Sequence, residues 1–237
     1  MASGNRFDRL DALRAVAILW MAVFHFCFDL DHFKFIDQNF YRDPFWTVQR
    51  TMIVTLFVFV SGFGQAIAWK QQQTWQRFWR RWAQVAGCAV LVTAGSYLMF
   101  PRSFISFGVL HAFAVMLIIT RLTAGAGRWL WPMGMLAIAL PHLVQHSFFD
   151  TRLTNWVGLV TRKPVTEDWA PIFPWIGVMW WGLAAGQWVL AHRRHWVAGS
   201  LHARLSPLAV LGRWSLSFYM VHQPVLIGLL IVVRALI

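Results

Sequence analysis

Long apolar runs separated by short polar segments dominate this chain of 237 residues. A helix needs about 20 apolar residues to cross a bilayer, and lipid admits only structures that satisfy their own backbone hydrogen bonds. The pattern therefore predicts an all-α fold, a polytopic membrane bundle of about seven helices in one domain over residues 1–237. The predicted spans are 10–30, 46–69, 83–100, 108–123, 129–146, 171–191 and 208–235.

Composition and charge agree with a membrane protein and predict its orientation. The chain is 58% hydrophobic, against roughly 45–50% in soluble domains. Of its 21 Lys and Arg residues, 13 fall on the side of the N-terminus, which gives that side a net charge of +11 against +1 on the other. Because basic loops face the cytoplasm, we expect a cytoplasmic N-terminus. The same segregation explains the formal charge of +12 without a nucleic-acid partner.

Two other segments have predicted roles in the bundle. Gly182 and Gly186 lie about one helical turn apart, a spacing that allows two membrane helices to approach closely. Residues 147–170 form the longest polar segment on the predicted outer side. This segment is expected either to cover a site or to be a solvated loop.

The first span carries ionisable side chains at helical spacing. Asp11, Arg14, His25 and Asp29 fall on one stripe of a helix, with Arg14 and His25 roughly 16 Å apart along its axis. A charge at membrane depth costs at least ~2.5–3.5 kcal/mol, so these groups face protein or a wet cavity. The stripe predicts either a functional site or a polar clamp between helices. In the first case Asp29, one turn beyond His25, orients that imidazole as a general base.

Two more histidines are predicted in the outer half of the bundle. His111 begins the fourth span, where it is either a functional group or a core histidine with satisfied hydrogen bonds. His222 lies midway along the last span beside Pro224, which removes a backbone donor and loosens the helix. Together with His25 and Asp29, these histidines are predicted to converge at one depth.

Two rival interpretations of these polar groups are weaker. No two residues of the predicted centre have metal-ligand spacing on one helix; His142 and His146 do, at a helix end, and we expect no metal. A transporter or proton-coupled carrier with a His–Asp relay is the alternative function. No inverted repeat or pair of broken helices supports that alternative.

Arginines at the predicted cytoplasmic ends of the spans suit a phosphate-bearing ligand. Arg14 and Arg213 occupy such ends, and Arg213 begins the last span, where helix N-terminal amides also favour an anion. Determination of topology is the competing explanation. We favour it for Arg77, Arg80 and Arg81.

Several motifs together resemble one family of membrane enzymes. They are Arg9-Leu-Asp-Ala-Leu-Arg14, His25-Phe-Cys-Phe-Asp29, Phe57-Val-Phe-Val-Ser-Gly62, Ile105-Ser-Phe-Gly-Val-Leu-His111, Phe173-Pro-Trp-Ile-Gly177 and the segment 211–224. These motifs cover nearly the whole chain and resemble the bacterial members of the heparan-alpha-glucosaminide N-acetyltransferase catalytic-domain family. Ala15 stands where that family usually has glycine.

The resemblance implies a transmembrane acyltransferase that takes acetyl-CoA as co-substrate from the cytosol and acetylates an amino sugar or envelope glycan outside. The catalytic candidates that match motif positions are His25, Asp29, His111 and His222. The CoA-binding candidates are Asp11, Arg14 and Arg213. The eukaryotic relatives have an active-site histidine in the first outer loop, for which His32 and His25 are the candidates here. The resemblance implies a bacterial inner membrane with lipid as a partner, and it leaves a homo-oligomer open.

Overall fold

Helices form the regular structure throughout residues 7–199 and 201–236, the part of the chain that the computed structural model describes. The α-helices are α1 (Asp8–His32), α2 (Pro44–Lys70), α3 (Trp75–Met99), α4 (Val109–Leu122), α5 (Leu130–Leu143), α6 (Ile172–His192), α7 (Ser206–Arg213) and α8 (Ser215–Leu236). Short 3-10 turns connect them at Ala124–Trp129, Ser147–Asp150, Asn155–Val157, Arg194–Trp196 and Ala203–Leu205.

Four of these helices, α1, α2, α3 and α8, are long and apolar enough to cross a membrane. A fifth candidate is the pair α4 and α5, which the 3-10 turn between them bends by 99°. The protein is therefore an all-helical, polytopic membrane protein, as the sequence predicts. The predicted number of seven spans and their orientation stay predictions.

The chain divides into two compact units, and α2 belongs to both. One unit comprises the chain up to Phe57 together with the segment from Arg194 onward, and the other comprises Val58–Arg193. The prediction of a single domain over residues 1–237 stays a prediction.

In the first unit, α7 and α8 pack against α1, and α1 and α8 run in the same direction. At the start of α1, a side chain at Gly212 would overlap the backbone carbonyl of Asp11, so only glycine allows α7 to lie this close. Further along, His25 of α1 contacts His222 of α8. If both helices cross the membrane in the same direction, the chain between them must cross it an odd number of times.

An aromatic cluster fixes the second half of α1 in this unit. Met21 and Phe24 of α1 are buried with Phe40 and Ile53. The Phe24 and Phe40 rings meet edge to face at 5.7 Å, and the Phe40 ring stacks on Trp46 at 4.1 Å. Aromatic pairs of this geometry contribute about 0.5–1.5 kcal/mol beyond the burial of their area. The cluster therefore sets which face of α1 is available to α8.

Glycines allow the helices of the second unit to approach α6 closely. A side chain at Gly182 would overlap the carbonyl of Phe59 in α2, and one at Gly186 would press on Ala66. This contact confirms the close packing predicted from the spacing of these two glycines. Between α6 and α5, Gly177 lies against the backbone of Gly134.

Hydrogen bonds between loops bring the segments after α3 and after α5 together at one end of α4. The segment after α3 bonds to the segment after α5, where Glu167 N donates to Ser103 O at 2.9 Å and Ser103 Oγ to Glu167 Oε1 at 2.5 Å. At the other end of α4, the Arg121 guanidinium donates to the carbonyl of Gln73, in the turn between α2 and α3. The chain thus travels along α4 away from Ser103, and the loop after α5 lies beside Ser103 again.

The long loop 147–170 has internal structure of its own. Asp150 accepts hydrogen bonds from Thr161 N and Oγ1 at 2.7 and 2.5 Å and from Arg162 N at 3.3 Å. These bonds, first that of the Thr161 hydroxyl, hold the pKa of Asp150 below its ordinary value because they stabilise the carboxylate.

Labelling of single cysteines tests which loops lie on the same side of the membrane. In a Cys27→Ala/Cys88→Ala background, we expect Arg102→Cys and Arg162→Cys to react from one face of sealed vesicles and Gln71→Cys from the other. The reason is the bonding of the loops after α3 and α5 at one end of α4. Reaction of Gln71→Cys and Arg162→Cys from the same face would contradict the assignment of these two loops to opposite ends of α4.

Candidate active site

Two histidine rings meet between α1 and α8 within the first unit. His25 Nδ1 lies 2.8 Å from His222 Nε2. The ring planes differ by only 13° and the centroids are 5.0 Å apart, which is the geometry of a hydrogen bond lying in the planes of both rings. His222 is buried, whereas His25 keeps partial exposure. The sequence predicted only that both residues lie at one depth; the structure shows that they contact each other.

The hydrogen-bond pattern assigns the protons on these rings. His222 Nδ1 lies 2.6 Å from the carbonyl oxygen of Tyr219, which can only accept, so Nδ1 carries the hydrogen. His222 Nε2 must then accept, and His25 Nδ1 is the donor between the rings. For two neutral imidazoles this leaves the lone pair on His25 Nε2. His25 is therefore the ring of the pair that can take up a proton.

Asp29 has a different partner from the one predicted. Its carboxylate is 3% exposed, and both oxygens accept from Gln223 Nε2, at 2.8 and 3.1 Å. The described hydrogen bonds thus give His25 an orienting partner, but that partner is His222. Asp29 lies one turn further along α1 and forms a second polar contact with α8.

The predicted CoA-binding residues form an ionic cluster at the start of α1 and the end of α7. Arg14 Nη1 lies 2.6 Å from Asp11 Oδ1. The Arg213 guanidinium lies 3.9 Å from Asp8 and 4.0 Å from Asp11, and its side chain is 43% exposed. Two arginines and two aspartates balance in charge. Because the Arg213 contacts are long and exposed, Arg213 can turn toward a phosphate at little cost, whereas Arg14 is held by Asp11.

His111 belongs to the second unit, where both of its ring nitrogens are used. Gly108 N donates to His111 Nδ1 at 3.2 Å. His111 Nε2 lies 3.0 Å from Thr93 Oγ1, whose own hydrogen goes to Ile105 O at 2.8 Å, so the histidine donates here. The ring therefore links the start of α4 to α3 and the intervening loop. Its predicted place beside the other catalytic candidates stays a prediction.

The other predicted histidines show no clustered geometry in the described residues. Helix α5 ends at Leu143, so His142 and His146 do not share a helical face, and both are exposed. His146 Nδ1 instead accepts from Phe148 N. His32 is exposed at the end of α1. Within residues 7–199 and 201–236, no group of three or more His, Cys, Asp or Glu side chains could hold a metal ion.

Gln223 is the site residue that sequence reasoning missed. It follows His222 directly and lies inside an apolar span, so an uncharged amide at membrane depth was an available signal. Helix α8 continues through Pro224 to Leu236, and the proline does not end it. The two residues before Pro224 thus both contact α1.

The site combines a half-buried imidazole that has an available acceptor nitrogen with a cluster of two arginines and two aspartates at the start of the same helix and the end of α7. These features suit an integral membrane enzyme that transfers a group by general base catalysis. A family profile described as "Heparan-alpha-glucosaminide N-acetyltransferase, catalytic" matches residues 6–224. The chain belongs to this family and is an acetyl-CoA-dependent acyltransferase of the membrane. No curated protein and no solved structure matches the chain.

Replacement of His111 separates a structural role from a catalytic one. We expect His111→Ala to lower the thermal midpoint of the purified protein by roughly 2–12 °C, because it leaves the buried Gly108 N–H without an acceptor. Thr93→Val is the matched control, since it removes the second hydrogen bond of the same ring. Loss of acetyl transfer in His111→Ala with an unchanged midpoint would contradict the structural role.

Proposed function

We propose that this protein moves an acetyl group from cytosolic acetyl-CoA to an amino sugar or envelope glycan on the outer side of a bacterial inner membrane. Membership of the family supports acetyl-CoA as the donor. The hydrogen bond between His25 and His222 is the observation that carries the chemical part of the proposal. It gives the chain a general base at membrane depth with an assigned acceptor nitrogen.

His25 Nε2 takes the proton of the attacking group of the acceptor. Protonation makes His25 an imidazolium, and its Nδ1–H···Nε2 bond to His222 then becomes charge-assisted and stronger. The Tyr219 carbonyl holds His222 in the tautomer that accepts this bond. Such stabilisation is greatest when the proton has moved, which is what a catalytic interaction requires. His222 is thus the orienting residue and His25 the base.

The carboxylate of Asp29 acts on the same charge from one turn away. Its position is fixed by Gln223, so it need not reorganise when His25 becomes positive. A fixed negative group in a buried site favours the imidazolium more than a mobile group in water would. Asp29 therefore supports the base electrostatically without bonding to it.

The ionic cluster at the start of α1 suits the phosphates of CoA. Arg14 and His25 are eleven residues apart on one helix, which is roughly 16 Å along its axis. The pantetheine arm is an extended chain, and it would cover this distance when Arg213 holds the phosphates. Acetyl-CoA supplies the thioester; the protein binds its anionic end and places the acceptor's proton against His25.

Substitution of the histidine pair tests the base. Replacing His25 with alanine should reduce acetyl transfer by ~10²–10⁴ while CoA still binds, because general base catalysis contributes a factor of this size. Replacing His222 with alanine should reduce transfer less, since the base remains but loses its orienting partner. The measurement is the release of free CoA thiol by detergent-purified protein with an amino-sugar acceptor. Full activity in the His25 variant would refute the assignment, and His32 would be the next candidate.

Intact-mass measurement of the same purified protein distinguishes direct transfer from an acetylated intermediate. If His25 carries the acetyl group, incubation with acetyl-CoA alone should add one acetyl mass to the intact protein, and His25→Ala should remove it. Activity without this adduct would show that transfer is direct.

Charge removal in the arginine cluster tests the place of CoA. We expect Arg213→Gln to weaken CoA binding about 3- to 30-fold, the range for one partly exposed charge-assisted contact. The main effect of Arg14→Gln should be a lower thermal midpoint, with a smaller loss of CoA affinity than in Arg213→Gln, because Arg14 is bonded to Asp11. Calorimetric titration with CoA measures the affinity, and Arg234→Gln at the far end of α8 is the control. Equal CoA affinity in Arg213→Gln and wild type would leave Arg213 as a topology signal.

A further inference from the structure

The two polar atoms of the Gln223 side chain, Nε2 and Oε1, have different surroundings. Its Nε2 donates to both oxygens of Asp29, a carboxylate that is 3% exposed. Its Oε1 is fully buried and has no hydrogen-bond partner among residues 7–199 and 201–236. The preceding residue, His222, holds the catalytic candidate His25. The acceptor atom with no partner thus belongs to a side chain that bonds to Asp29, one helical turn from His25 along α1.

The carboxylate of Asp29 fixes which way this amide points. A reversed amide would set its carbonyl oxygen against two carboxylate oxygens, which repel it. Hydrogen bonding at Nε2 also polarises the amide and strengthens Oε1 as an acceptor. A clamp between α1 and α8 explains the Nε2 bonds. It does not explain a buried carbonyl oxygen that no described donor reaches.

We propose that Gln223 Oε1 determines the specificity for the sugar substrate. It accepts a hydrogen bond from a second hydrogen on the attacking group of that substrate. The inference rests on the function proposed above and concerns the same site. His25 Nε2 and Gln223 Oε1 are two hydrogen-bond acceptors, and a primary amine offers a hydrogen to each. A hydroxyl has one hydrogen and leaves one of the two acceptors unpaired. The pair of acceptors therefore selects an amine over a hydroxyl.

The transfer step balances with these roles. The amine nitrogen forms a bond to the acetyl carbonyl carbon, and the carbon–sulfur bond of the thioester breaks. One N–H proton passes to His25 Nε2, while the other hydrogen stays on the nitrogen and keeps its bond to Gln223 Oε1. The thiolate of CoA takes the proton back from His25 and leaves as the thiol. The amide product retains one N–H, which keeps its hydrogen bond to Gln223 Oε1.

A matched pair of acceptors tests the assignment. Methyl glucosaminide and methyl glucoside differ in an amine or a hydroxyl at one carbon, and kcat/KM for each is obtained from thiol release and product mass. In Gln223→Met we expect the amine-to-hydroxyl ratio of kcat/KM to fall about 5- to 150-fold, the range implied by one unpaired buried acceptor. CoA affinity should stay at the wild-type value.

A second variant keeps the contact with Asp29. Gln223→Lys retains a donor to that carboxylate but has no carbonyl, so it should lose the amine preference while preserving the link between α1 and α8.

The outcomes separate this inference from the proposed function. A purely structural role for Gln223 predicts equal losses with both acceptors, and an unchanged ratio in either active variant would overturn the inference. A wild-type protein that binds CoA but acetylates neither glycoside nor any other amine would overturn the proposed function instead.

Discussion

The hydrogen bond between His25 and His222 is the interaction on which the proposed chemistry depends. Lipid offers no partner for a polar ring, so each imidazole at membrane depth must find its hydrogen bonds inside the protein. The Tyr219 carbonyl accepts the hydrogen of His222 Nδ1, so His222 Nε2 accepts from His25 Nδ1. The free lone pair is therefore on His25 Nε2. The requirement to satisfy buried polar groups thus produces a base with a defined tautomer.

The parallel course of α1 and α8 gives this arrangement its directionality. Asp11 lies against Gly212 at one end, and His25 and Asp29 meet consecutive residues of α8 further along. Helix α1 therefore carries the proposed base and contributes to the ionic cluster, at a separation set by helical rise. Breaking one of the polar contacts would leave its partner buried and unpaired, which costs more than the bond contributes. Structural and chemical demands on these residues coincide.

His111 shows how surroundings decide the role of a histidine. Its Nδ1 accepts from the first turn of α4, and Asp168 Oδ2 accepts from Val109 N of the same turn at 2.7 Å. A carboxylate and an imidazole lone pair at a helix N-terminus both complement its partial positive charge. Protonation of His111 at Nδ1 would remove one of these acceptors. A ring with two structural hydrogen bonds is a poor general base, whereas His25 keeps one nitrogen for chemistry.

The sequence by itself determined the membrane class, the all-helical fold, the polar stripe of α1 and the close packing at Gly182 and Gly186, because apolar run length and helical spacing are local properties. It did not show that the predicted last span, 208–235, is divided into α7 and α8. It named His25 and His222 as members of one site. Only the tertiary structure decided that they bond to each other and that Asp29 pairs with Gln223. Periodicity shows which side chains share a face of a helix, but not which neighbour that face meets or at what rotation. Partners across helices depend on packing of the whole unit, and so does the proton left on each ring.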